Sequence, residues 1–186
     1  MSRVRRPSFR RDRRGAAAVE FALIAPIFCI LFAAAVDFGG VLHTQLKLDA
    51  AVAAGANYAQ VNAANVSAAN GAALAGNIAS IVRTSDGAAY ADGLVVVNNG
   101  PGVTISGGTA SPGGTPGPAD ACYCPTGSGT AFAWGSATPC GAACPGGGVA
   151  GKFVTITVTR LYNPVFSGYG MVADHTIRAS AAVETQ

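Results

Sequence analysis

One acidic residue stands near the start of a long apolar run, and its spacing from a glycine suggests chemistry at the N-terminus. Glu20 lies five residues after Gly15, and the next charged residue is Asp37. A carboxylate inside a membrane is costly unless it is paired. Cleavage after Gly15 would create an α-amino group on Ala16, mostly protonated at neutral pH and about one helical turn from Glu20. We predict that Glu20 pairs with this amine, within one chain or between neighbours.

The apolar run around Glu20 is long enough to cross a membrane. Residues 16–36 would form a helix of about 31 Å, which matches one bilayer core. Pro26 is expected to kink this helix, because proline removes one backbone hydrogen bond and clashes with the preceding turn. Cys29 is interpreted as a packing residue. A simpler alternative for Glu20 is that its side chain only reaches up to the lipid headgroups.

The charges on the two sides of the span predict its orientation. Seven arginines and one aspartate precede the span, whereas the next basic residue after it is Lys47. Positively charged segments stay in the cytoplasm, so we predict a single-pass protein of a bacterial inner membrane with a periplasmic C-terminal part. The chain carries a formal net charge of +3, and residues 1–15 hold +6, which leaves −3 for a product that begins at Ala16. No basic surface remains for nucleic acid.

The helix is predicted to continue outside the membrane, over residues 37–60, with its end near Tyr58. Alanine, the best helix former, dominates residues 50–59. Gly55 and Asn57 are expected to weaken the helix there. Apolar residues that recur at helical spacing also support this continuation; they are Val41, Leu42, Leu46, Ala50, Ala53 and Ala54.

The N-terminal segment resembles type IV prepilin-like proteins, and among them the TadE-like pseudopilins of the tight-adherence (Flp) pilus. The residues that carry the resemblance are Gly15 after a basic leader, the dipeptide Glu20-Phe21, and Pro26 in an uncharged run. The resemblance implies a non-catalytic minor pseudopilin that a prepilin peptidase cleaves after Gly15. It also implies that Glu20 acts in assembly, and that the partners are other pilins, pseudopilins and the assembly machinery.

Two other functions fit the N-terminus. Residues 21–32 followed by Ala33-x-Ala35 would also serve as a cleavable secretory signal, which would release a disulfide-rich binding module. A signal peptide gains nothing from Glu20, and the apolar periodicity continues past the supposed cut. The remaining alternative is a bitopic envelope protein without any link to pili. Mature N-terminal sequencing separates these possibilities.

Residues 61–186 are predicted to form a small α+β head behind the long membrane-anchored helix. An amphipathic helix is predicted over residues 67–85, capped by Ser67 and followed by a turn at Asp86-Gly87. Short strands are predicted over 94–98 and 103–106, and long antiparallel strands over 152–161 and 176–183. Residues 107–118 are interpreted as a loop without regular structure. The helix stripe consists of Leu74, Ile78, Ile81 and Val82.

Four cysteines lie in a glycine-rich segment within residues 107–150, which has too few apolar residues to form a core. They are Cys122, Cys124, Cys140 and Cys144. Because Cys122 and Cys124 are too close to pair readily, we predict two disulfides that cross from one pair to the other, in either arrangement. A zinc site is the alternative, but the C-x-C and C-x3-C spacing is unusual for zinc.

Enzyme classes find little support in the sequence. No phosphate-binding loop, dinucleotide fingerprint or nucleophile–base motif is present, and the histidines are His43 and His175. We therefore predict no catalytic residues, cofactor, metal or small-molecule substrate. The aromatic residues Tyr162, Phe166 and Tyr169 are expected to cover a sheet edge, with interface contact as the alternative.

Overall fold

The computed structural model describes residues 15–85, 91–164 and 175–186. The described helices are α1 (Ala16–Val61) and α2 (Gly71–Thr84), and the described strands are β1 (Asp92–Val97), β2 (Gly102–Ser106), β3 (Thr109–Gly113), β4 (Cys122–Tyr123), β5 (Ala137–Thr138), β6 (Phe153–Leu161) and β7 (Thr176–Glu184). The predicted α+β class, with a long first helix, a second helix and an antiparallel sheet, is confirmed. The basic leader, the Asp86-Gly87 turn, Phe166 and Tyr169 lie outside the described residues.

Helix α1 is one continuous helix of 46 residues with Pro26 inside it. It runs past Gly55 and Asn57, so the expectation that these residues weaken its end is wrong. The reason is tertiary packing at Gly55. A Cβ atom there would lie 3.0 Å from Ile156 Cδ1 and 3.2 Å from methyl groups of Ile78 and Val82. The missing side chain lets α1 approach both α2 and the sheet, which offsets the low helix propensity of glycine.

The main sheet has five antiparallel strands in the order β3-β2-β1-β6-β7, and β4 and β5 form a separate small pair. The two short predicted strands correspond to β1 and β2, and the two long ones to β6 and β7. Asn98 and Asn99 form the β1–β2 turn with φ values of 50° and 55°. Asparagine tolerates this left-handed backbone better than most residues, which explains why the chain turns there.

The core lies between the two helices and one face of the main sheet. Val154, Ile156 and Val158 are buried and alternate with threonines that are half-buried, as the sequence predicts. On α2, the predicted stripe is buried at three positions, while Ile81 is only half-buried. The largest fully buried aliphatic side chains are Leu48, Ile78, Ile156, Val82, Val95, Val97, Val154 and Val158.

Two predicted boundaries are wrong. Helix α2 begins at Gly71 rather than at Ser67, because Ser67 instead closes the preceding turn, where its Oγ accepts a hydrogen bond from the Asn70 N–H at 3.2 Å. Residues 107–118 are not all irregular, since β3 pairs with β2 along its length. An edge strand needs backbone hydrogen bonds more than apolar side chains, so the polar composition of this segment hid it.

Candidate functional site

The predicted cleavage point lies where α1 begins. Gly15 directly precedes the helix, with φ −83° and ψ −22°, and Ala16 is the first helical residue. Ala16 and Glu20 are four residues apart in one helix, so they lie on the same face one turn apart. Both residues are exposed. A new amine on Ala16 would therefore lie within reach of the Glu20 carboxylate of its own chain, or of a neighbour packed against this face.

The first half of α1 exposes nearly all of its large apolar side chains. Phe21, Phe28 and Phe32 are 73%, 68% and 72% exposed. Free Cys29 is also exposed, so nothing in the described residues supports its predicted packing role within this chain. Part of the helix is long and apolar enough to cross a membrane, and almost none of that part is buried. By length and composition α1 therefore contains one candidate membrane span, and its exposed side chains need an apolar partner that the described residues do not supply.

Contact between α1 and the head begins near the end of this apolar run. Ala33 and Asp37 are both buried, at 6% and 1% exposure. The Tyr162 hydroxyl at the end of β6 donates a hydrogen bond to the Asp37 carbonyl oxygen at 3.1 Å, and it lies over Gly40, where a Cβ atom would collide with it. Tyr162 thus fastens the end of the sheet to α1, a role that differs from covering a sheet edge.

Beyond Asp37, the two sides of α1 are both apolar but differ in side-chain size. The buried side contains Leu48 followed by small residues at Ala51, Gly55 and Ala59. The opposite side carries Phe38, Leu42, Leu46, Ala50 and Ala53, which we name the outer stripe; its leucines are 46% and 67% exposed.

The outer stripe contains most of the apolar residues whose helical spacing predicted that α1 continues past Asp37, and that continuation is confirmed. The head packs on the side with small residues, because small side chains allow close approach of α1 to α2 and the sheet. Hydropathy alone does not distinguish the two sides. Among the six apolar residues at helical spacing, only Val41 and Ala54 are half-buried, and the others are exposed.

The cysteine segment forms two disulfides, Cys122–Cys140 and Cys124–Cys144. They cross between the two cysteine pairs, as predicted, and the structure selects one of the two arrangements left open. All four sulfur atoms are therefore used, which removes the zinc alternative. No group of three or more His, Cys, Asp or Glu residues able to hold a metal occurs within residues 15–85, 91–164 and 175–186.

Three polar side chains that the sequence analysis missed tie the cysteine segment and the end of α1 to the sheet. Buried Asn98 donates to the carbonyl oxygens of Ala119 and Ala121, and its Oδ1 accepts from the Phe153 N–H at 3.2 Å. Lys152 Nζ donates to the Val66 carbonyl oxygen at 3.0 Å, and Asp120 accepts from the Ala68 N–H at 2.9 Å. Their partners are backbone atoms far along the chain, which no local sequence signal indicates.

Residues 15–57 match the family described as TadE-like protein. This part of the chain is similar to TadE-like proteins. The TadE-like segment begins at Gly15, contains Glu20, Phe21, Pro26 and the outer stripe, and ends shortly before α1 does. The resemblance drawn from the sequence is confirmed over this segment, which is less than half of the chain. No curated protein and no solved structure matches the chain.

Proposed function

We propose that this protein is a non-catalytic minor pseudopilin that takes part in assembling a tight-adherence (Flp, type IV-like) pilus. The observation that carries the proposal is that the TadE-like segment lies on a helix whose outward side is apolar both within the candidate span and beyond it. A single-pass anchor needs such a surface only inside the membrane. An apolar surface that continues outside the membrane favours packing against other helices.

Burial of the outer stripe against other helices would be energetically favourable. Burial of apolar surface contributes about 25 cal/mol per Å² removed from water. Phe38, Leu42 and Leu46 remain exposed while the head covers the other side of α1. Helices of pilins or pseudopilins that pack against this stripe would remove it from water. The head would then lie outside the helical bundle, because it occupies the opposite side of α1.

Glu20 would set the axial position of such helices. Its charge is tolerable in lipid only with a partner, and a mature amine on Ala16 provides one. A pair between two chains also fixes their register, because a shift of one turn, about 5.4 Å, would leave both charges unpaired in lipid. The pair would therefore select one axial register of the neighbouring helices as well as stabilise their contact.

The proposed maturation places each part of the chain in a compartment. A prepilin peptidase would cut after Gly15 at the cytoplasmic side of the inner membrane and leave the arginine-rich leader behind. The head would be periplasmic before assembly. Its two disulfides support this location, since disulfides persist in oxidising compartments and are rare in the cytoplasm.

Maturation is tested with Gly15→Leu, because a bulky residue at the cleavage site should block the peptidase. We expect the wild-type protein to begin at Ala16 by N-terminal sequencing and the variant to keep its leader. Gly39→Leu is the matched control, since open space surrounds Gly39, and it should mature normally. A wild-type N-terminus near Val36 would instead show a secreted module, and an intact wild-type leader would show a plain anchor.

Assembly is tested with Glu20→Gln, which removes the charge and keeps the shape. Cleavage, membrane insertion and protein abundance should survive, while the number of pili per cell falls at least about tenfold, because an unpaired amine in lipid costs several kcal/mol. Glu184→Gln removes an exposed carboxylate from the sheet face that points away from α1 and should not change assembly. Normal assembly of the Glu20→Gln variant would contradict the register argument.

A further inference from the structure

The cysteine segment encloses an open cleft of about 800 Å³ at one end of the main sheet. The Cys124–Cys144 disulfide, the neighbouring prolines Pro125 and Pro145, and the glycines at 146–148 form its sides. Phe153 and Glu184 line it from the sheet. Both residues alternate with Val154 and Val183, which are buried on the helix side, so the cleft lies on the sheet face away from α1 and α2.

Phe153 and Glu184 stand next to each other in this cleft. They are direct partners in the antiparallel register of β6 and β7, and directly opposed residues have Cβ atoms about 4.5–5.5 Å apart on the same face. Phe153 is half-buried and Glu184 is exposed. The sheet therefore presents an aromatic ring and a carboxylate side by side at a fixed position.

The Glu184 carboxylate is available to a ligand. It is the one charged group among the described residues that line the cleft. No hydrogen bond or ion pair engages it within the described ranges. Hydroxyl groups of Thr126, Ser136 and Thr138 line the same cleft and add further hydrogen-bond acceptors. The cleft thus combines one negative charge, several neutral acceptors and an aromatic ring, with no positive charge among its described residues.

We propose that this cleft binds the ammonium group of a lysine side chain presented by a protein partner. An ammonium group carries three N–H donors, which the carboxylate and the hydroxyl oxygens can accept. The Phe153 ring adds a cation–π attraction. Pro125, Pro145 and Val149, the last 56% exposed, provide apolar surface for the four-carbon lysine stem.

Two other cations fit the lining less well. A quaternary ammonium such as choline has no N–H donor and is recognised by cages of several aromatic rings, whereas the cleft has one ring and many oxygen acceptors. A guanidinium group is a rigid planar fork that suits one bidentate acceptor. Acceptors spread over Thr126, Ser136, Thr138 and Glu184 suit the compact, rotatable ammonium of lysine better.

Lysine binding in the cleft does not depend on pilus assembly. The cleft faces away from α1, so helices packed on the outer stripe would leave it open. The variant Glu184→Gln should therefore be processed and should assemble like the wild type. Failure of the pseudopilin proposal would leave the cleft chemistry unchanged, and failure of lysine binding would leave the pseudopilin proposal unchanged.

The test is a titration of the full chain in detergent micelles with short peptides, followed by NMR chemical shifts. The probe is an acetylated and amidated Gly-Gly-Lys-Gly-Gly peptide, so that its side chain carries the only charge. We expect Kd in the millimolar range, as befits a single side chain. Peptides with Nε-acetyllysine or arginine in place of lysine, and free choline, should each bind at least about tenfold more weakly.

Two variants locate the site. Glu184→Gln and Phe153→Leu should each weaken lysine-peptide binding, the first by about tenfold or more. Asp49→Asn is the charge-matched control outside the cleft and should bind as the wild type does. Equal binding of the lysine and acetyllysine peptides, equal binding of arginine or choline, or unchanged affinity in Glu184→Gln would each overturn the proposal. The peptide comparison on the wild-type protein stands even if a variant fails to fold.

Discussion

The two halves of α1 have the same secondary structure, yet their surroundings are opposite. No residue from 16 to 32 is buried, whereas residues 48–59 contain a regular buried stripe against α2 and the sheet. The first half thus needs a partner from outside the described chain, and the second half already has one on one side. A helix can therefore form along its whole length while its two halves differ in use, since one stabilises the head and the other exposes its apolar side chains.

The sharpest test of this difference replaces one leucine in each half. Leu48 is fully buried, and Leu31 is 62% exposed. Leu48→Ala should lower the free energy of unfolding of the head by about 2–5 kcal/mol, because it leaves a cavity in a packed core. Leu31→Ala should change it by less than about 0.5 kcal/mol. Denaturant unfolding in micelles, followed by Trp134 fluorescence, measures the free energy of unfolding of both variants. Equal decreases in the two variants would contradict the difference between the two halves of α1.

The next largest effect concerns the head alone. Removing one disulfide with Cys124→Ser and Cys144→Ser should cost about 2–4 kcal/mol of head stability, because it frees a loop that has little core. Cys29→Ser is the matched control, since Cys29 is a free, exposed cysteine on the other half of the molecule. Thermal melting gives the stabilities. Thiol titration of the denatured, non-reduced wild type should detect Cys29 only, and four further thiols would contradict the disulfide assignment.

A smaller effect is expected where the buried half of α1 meets the core. Gly55→Val adds a branched side chain within about 3 Å of three core methyl groups and should destabilise the head by about 1–3 kcal/mol. Gly39→Val, on the same helix but surrounded by open space, should change stability by only a few tenths of a kcal/mol. Similar values for the two variants would show that α1 and the sheet are not in close contact at Gly55.

The smallest effect is expected at the boundary between the halves. Tyr162→Phe removes the hydrogen bond to the Asp37 carbonyl oxygen and should cost about 0.5–1.5 kcal/mol of head stability. Tyr58→Phe is the control, because its hydroxyl accepts a hydrogen bond from Asn77 at an exposed position. Hydrogen exchange at Gly40 and Val41 should increase in the first variant only. Unchanged hydrogen exchange at these two residues would contradict the conclusion that Tyr162 holds the end of the sheet against α1.

Local patterns predicted most of the fold. The alternation of Val154, Ile156 and Val158 with threonines defined β6, and the uncharged run after Glu20 defined the candidate span. These features depend on periodicity and length, which are properties of the sequence alone. The resemblance at Gly15 and Glu20 likewise depended on residue spacing, and the TadE-like match covers it. The pairing and assembly roles of Glu20 remain predictions.

The parts that the sequence did not predict depend on distant partners. The side of α1 that packs against the head was not predicted, because the choice depends on how closely Gly55 lets the helix approach Ile156. Strand β3 was missed because it is stabilised by backbone pairing with the edge of β2, which the composition of the segment does not indicate. Asn98 was predicted only as the last residue of a strand, although its buried side chain binds carbonyl groups more than twenty residues away.

The continuity of α1 also fixes the rotational phase between its two ends. Glu20 and Phe38 are 18 residues apart, about five whole turns, so a straight helix places them at the same azimuth. One alanine inserted between Leu31 and Phe32 would leave both halves folded but rotate Glu20 by about 100° away from the outer stripe. Seven inserted residues would restore the azimuth to within about 20° while they lengthen the rod by about 10 Å. The helix therefore fixes the angle between Glu20 and the outer stripe, and not only the distance between them.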